Sequence, residues 1–124
     1  MNIPDLKTDK VELTPYFNNK SILRELILQL NKDFLSAGIK LKLLLSRKYE
    51  FQELIVIIAE ALEKYPTQTV FNLLYRVDIS ENQLRNAMPT PGVDLTLFSE
   101  VIIKRELQKV VLRKLYSSSK QNEE

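Results

Sequence analysis

From Ser21 onward apolar residues return at spacings of three and four. Ile22, Leu23, Leu26, Ile27, Leu30 and Phe34 share one side of a helix, with Arg24, Glu25, Gln29 and Lys32 on the other. Such a chain must bury stripes rather than flat faces, which is the demand of helices packed on helices. The period returns over 49–64, where Phe51, Leu54, Ile55, Ile58 and Leu62 form the main stripe. Val56 and Ile57 widen it, so this helix is expected to be contacted on more than one side. The β-branched run from Ile55 to Ile58 would also suit a buried strand; the length of the pattern and the helix formers from Ala59 to Lys64 favour a helix. Pro66 ends it. Residues 67–76 read as a third helix with Val70, Phe71 and Leu74 turned inward. Ser80 and Gln83 have capping-box spacing for a short helix over 81–88, and Pro89-Thr90-Pro91-Gly92 is a loop. A last helix runs from Leu95 or Thr96 to Tyr116, with Glu100 and Lys104 as a favourable pair four apart.

Between these runs the reading is thinner. Gly38 stands where a left-handed cap would close the first long helix. In 39–46 Ile39, Leu41, Leu43 and Leu45 alternate with Lys40, Lys42, Leu44 and Ser46, which is strand period. A strand needs a partner, and only short stretches near Val11 and Val93 offer one, so an extended connection or a minor strand is expected. Residues 1–19 read as an extended N-terminal arm, 20–116 as one helical domain and 117–124 as a disordered polar tail. The 124 residues suit one core, and five prolines with two glycines suit long helices. The expected fold is therefore mainly α, a compact four- to five-helix single domain with at most one minor short β pairing.

The chain has no histidine and no cysteine. Imidazole is the usual base near neutral pH, and imidazole and thiolate are the usual ligands of zinc and other transition metals. Their absence removes Ser-His-Asp triads, Cys-His nucleophiles and zinc fingers. Gly38 and Gly92, the only glycines, cannot build a phosphate-cradling loop. The expectations are therefore no enzymatic activity, no catalytic or metal-binding residues and no cofactor. No basic cluster leads into an apolar run at the N-terminus, and the longest apolar run, Leu54 to Ala59, is too short to cross a bilayer. A cytoplasmic location and no membrane contact are expected; richness in Lys, Asn and Ile points to a bacterial origin.

Charge is unevenly placed. Residues 101–120 hold six basic groups against Glu106 alone, a net of +5 within a chain of net +2. Arg105, Lys109 and Arg113 recur every four residues as one basic stripe, read either as a solvated helix face or as a surface for phosphates, RNA or an acidic partner. The segment 73–88 resembles the helix-turn-helix of bacterial DNA-binding regulators. Leu73, Val77, Ile79, Leu84 and Ala87 stand where that motif buries apolar groups, and a helix opens after Ser80. The resemblance implies that Asn82, Gln83, Arg85 and Asn86 face bases or phosphates in the major groove. The sequence departs from the motif at Asp78, where glycine is usual, and at Leu74, where a small residue is usual.

The last helix is apolar on two sides: Ile103, Leu107, Val110 and Val111 on one, Phe98, Val101, Ile102 and Leu112 towards the other. Leu28 and Leu35 lie off the main stripe of the first long helix. If the interior is too small for all of these, Leu28, Leu35, Phe98, Val101 and Leu112 form an apolar interface; otherwise the last helix is central and covered. Glu50, Glu53, Glu60 and Glu63 run along the second long helix as a solvated face or, in a weaker alternative, as the acids of a carboxylate-dependent enzyme. The leading expectation is a non-catalytic binding or adaptor domain acting on a protein partner or on itself as a homodimer. The alternative is a nucleic-acid-binding regulator using 73–88 and the basic last helix.

Overall fold

A computed structural model describes residues 14–80, 82 and 94–122. It is mainly helical: α1 (Thr14–Phe17), α2 (Lys20–Ser36), α3 (Phe51–Leu62), α4 (Thr67–Val77) and α5 (Leu95–Asn122). Local chemistry starts and stops each element. The Asn19 side chain accepts from the Ile22 N–H at 3.1 Å and opens α2. Gly38, at φ 81°, closes it: the Ile39 N–H reaches back to Phe34 O at 2.9 Å and the Gly38 N–H to Leu35 O at 3.0 Å. Glu50 and Glu53 form a reciprocal capping box at the start of α3. Pro66 separates α3 from α4, as the sequence requires. Asp94 Oδ1 accepts from the Thr96 and Leu97 N–H groups and opens α5.

α5 is the centre of the molecule. Between Phe98 and Val111 its buried residues lie on nearly every side, and α1, α2, α3 and α4 all pack on it. Two apolar faces on one helix are what a covered central helix needs. Phe98, one of the five residues expected to form an apolar interface, is therefore in the core; Val101 and Leu112 are half-buried. α2 and α3 present Leu26, Leu30, Phe34, Leu54, Ile58 and Leu62 to the same interior. Phe17 of α1 meets Phe51 edge-on, with ring centroids 5.7 Å apart. Three boundaries differ from the sequence reading. The segment read as an extended arm contains the single turn α1, α4 extends to Val77, and α5 continues to Asn122 past the tail boundary at Ser117. The proposed 81–88 helix, apart from Asn82, lies outside the described residues.

Residues 39–44 are extended, yet no strand occurs among the described residues. Side chains supply what a neighbouring strand would. The Asn31 carboxamide takes both peptide groups of Leu43, accepting its N–H at 3.0 Å and donating to its carbonyl at 3.0 Å. The Tyr65 hydroxyl accepts the Lys40 N–H at 2.7 Å, and the Tyr49 hydroxyl accepts the Leu44 N–H at 2.9 Å. Backbone polar groups near a core need partners, and three side chains from α2, from the chain just before α3 and from the turn between α3 and α4 provide them. The alternation is obeyed: Ile39 and Leu43 are buried, while Lys40, Lys42 and Leu44 face out.

Candidate functional site

The basic stripe of α5 turns inward, towards α2 and the end of α4. Arg105 donates to the Asp78 carbonyl at 3.0 Å and to its carboxylate at 3.1 Å, and also contacts Gln108. Lys109 reaches Asp33 Oδ2 at 3.3 Å and the carbonyls of Arg76 and Val77 at 3.5 and 3.4 Å. Arg113 donates to Gln29 at 3.2 Å and to Glu25 at 3.5 Å. Residues four apart on α5 thus meet residues four apart on α2, Glu25, Gln29 and Asp33. The stripe is a polar seam that pins the central helix and places cations at the C-terminus of α4, where the helix dipole favours them.

Beneath the seam lies a cluster that sequence reasoning missed. Glu106 is fully buried, and its Oε1 lies 2.7 Å from Lys109 Nζ. No aligned N–H or O–H donor reaches either carboxyl oxygen. Burial, reinforced by the neighbouring Asp33, raises the Glu106 carboxyl to about 8 against the pull of Lys109. Burial also pushes Asp33 up, but the adjoining Glu106 carboxyl, the Gln29 amide that donates to it and the charge of Lys109 outweigh it and hold Asp33 below its ordinary value. At neutral pH Glu106 is mostly protonated, so one anion, Asp33, faces one cation, Lys109. Glu106 was visible in the sequence only as the lone acid among six bases.

Asp78 is the left-handed residue of the turn after α4, at φ 64°. The helix-turn-helix resemblance places glycine there, and aspartate adopts the same backbone with its carboxylate held by Arg105. Leu73 and Val77 are buried and Leu74 is half-buried, which fits a packed first helix. Asn82 is exposed; Gln83, Arg85 and Asn86 lie outside the described residues.

Leu28 and Leu35 remain open, 42% and 77% exposed on the outward side of α2. Asn31 lies between them in sequence, so its clasp on Leu43 anchors the extended segment alongside that stretch. The clasp brings in Leu44 and Leu45, 56% and 40% exposed, at the end of the stretch with strand period. Lys32, Lys40 and Lys42 are exposed around them. Four open leucines thus lie on α2 and on the segment that Asn31 clasps to it, with exposed lysines beside them in the chain.

The glutamates of α3 do not converge on a cleft. Glu53 pairs with Arg47 and with the Glu50 backbone, Glu60 is exposed, and Glu63 borders a cavity. That open cavity of about 210 Å³ lies among Leu62, Tyr65, Val70, Phe71, Leu95 and Phe98. A more polar cleft of about 320 Å³ lies by Ser36, Ala37, Asn72, Tyr75 and Arg76. Among the described residues no cluster of acids could hold a metal ion, and no helix is long and apolar enough to cross a membrane.

Compared with known proteins, the chain matches no family model, no curated protein and no solved structure.

Proposed function

We propose that this chain is a non-catalytic helical binding domain that acts through protein–protein contacts. The observation that carries the reading is the outward cluster of Leu28, Leu35, Leu44 and Leu45, held together by the Asn31–Leu43 clasp. Covering the exposed part of each leucine would gain roughly 0.5–2 kcal/mol, and several gathered on one surface are typical of an interface. The nucleic-acid alternative has less to draw on, because Arg105, Lys109 and Arg113 already have partners inside the fold. A carboxylate-dependent enzyme would need its acids around one cleft, and the glutamates of α3 are dispersed.

The wild-type chain and a Leu28→Ser/Leu35→Ser variant, immobilised and exposed to a lysate of the source cells, test this. The expected result is a small set of proteins retained by the wild type and lost by the variant, with the melting temperatures of the two within about 2 °C. Identical protein sets on both baits would sink the reading.

A further inference from the structure

We infer that the leucine surface of α2 and the 39–45 segment docks an acidic, apolar helical segment of a partner protein, rather than a second copy of this chain. The inference rests on the binding reading above and adds the chemistry of the occupant.

Charge around the leucines selects the occupant. Between Asp33 and Glu50 the chain carries Lys40, Lys42, Arg47 and Lys48 and no carboxylate. Of these only Arg47 has an ion-pair partner among the described residues, Glu53. On α2 the exposed Arg24 and Lys32 flank the line from Leu28 to Leu35 and are likewise unpaired among the described residues. The carboxylates of the same helix, Glu25 and Asp33, turn the other way, to Arg113 and Lys109. Unpaired positive charge therefore borders the leucines, whereas the stripe Arg105, Lys109 and Arg113 of α5 is taken up by carboxylates within the fold. Two such surfaces brought face to face about a two-fold axis would set lysine against lysine around the leucines, so a homodimer through this face is disfavoured. A partner with Asp or Glu beside its apolar residues meets both demands at once.

The leucines also indicate the shape of the occupant. Leu28 and Leu35 are two turns apart, roughly 10.5 Å along the axis at 1.5 Å per residue, which is the spacing at which a second helix presents residues seven apart. The anchors are aliphatic.

The test is selection of sixteen-residue peptides displayed on phage against the full chain, with depletion against Leu28→Ser/Leu35→Ser. Enriched peptides should be net negative, with apolar residues seven apart or at three–four spacing. Synthetic copies should bind at least tenfold more weakly to the leucine variant and to Lys32→Glu/Lys42→Glu. Their affinity should also fall as salt rises from 50 to 500 mM, since screening shortens the reach of the exposed charges, to about 3 Å at 1 M. Melting curves of both variants should match the wild type, so that lost binding is not lost folding. Enriched peptides without net negative charge would overturn the acidic occupant and leave the binding reading standing. Peptides that bind both variants as tightly as the wild type would place binding elsewhere on the domain. Absence of enrichment, or tight binding instead to vesicles of one-third phosphatidylserine or to a duplex DNA, would overturn the inference and the protein-binding reading together.

Discussion

Two surfaces of α2 flank its buried stripe of Leu23, Leu26, Ile27, Leu30 and Phe34 and treat charge and apolarity in opposite ways. One, beside α5, is charged and partly covered, holding Glu25, Gln29 and Asp33 against Arg113 and Lys109. The other is apolar and open, with Leu28 and Leu35 reaching solvent. The first is a structural device and the second a candidate for function. A partly buried ionic seam adds little net stability, because desolvation at its Asp33 end and solvent screening at its Glu25 end consume most of the Coulomb gain, but it penalises any slip of α5 against α2. Open leucines add nothing to the isolated fold. Charge content and apolar content thus mislead in opposite directions here, and burial decides what each group does.

The comparison can be broken at its strongest point by substitutions that should differ most. Phe98→Ala, in the core despite its place on the second apolar face of α5, is expected to destabilise by roughly 3–5 kcal/mol, whereas Leu35→Ser should stay within about 0.5 kcal/mol. Urea melts of the two variants check this, and similar losses would mean that the leucine face is covered.

Lys109→Met leaves Asp33 without its cation, and a loss of roughly 3 kcal/mol is expected because an unpaired charge then sits against the core. Exposed Lys32→Met should cost almost nothing by comparison.

Glu106 gives the seam a pH signature. Its carboxyl is raised to about 8 in the folded chain from 4.5, so between those values the folded state holds a proton that the unfolded state has released. Stability should therefore fall as pH rises through that window. Asp33, held below 3.8, contributes in the opposite sense: its stabilisation is present above that value and is lost only as pH falls through the folded value. Glu106→Gln removes the titrating group, so its unfolding free energy from urea melts should vary less between pH 5 and pH 8 and lie on the order of 2 kcal/mol above wild type at the alkaline end. An unchanged slope in Glu106→Gln would show that another group sets the dependence.

The smallest expected effect sharpens the other side of α2. Asn31→Ala leaves the Leu43 N–H and carbonyl without partners and should cost roughly 1–2 kcal/mol. Amide exchange at Leu43 and Leu44 should quicken while that of Leu54 and Ile58 does not. A uniform rise in exchange would mean that Asn31 supports the whole core rather than the segment beside it.

The sequence by itself determined the periodic helices. The 3.6-residue period placed α2, α3 and most of α4 and α5, Gly38 and Pro66 marked two boundaries, and the Glu100–Lys104 pair forms at 3.0 Å as its spacing implied. Helical register is local, so residues three or four apart meet whatever the rest of the chain does. Only the tertiary structure decided which of two apolar faces is covered, and whether a basic stripe faces solvent or carboxylates. It moved Phe98 inside, left Leu28 and Leu35 outside, and turned Arg105, Lys109 and Arg113 towards groups 27 to 88 residues away. It also gave the strand-like 39–44 segment side chains instead of a sheet. Those outcomes depend on contacts between residues far apart in sequence, which composition and periodicity do not encode.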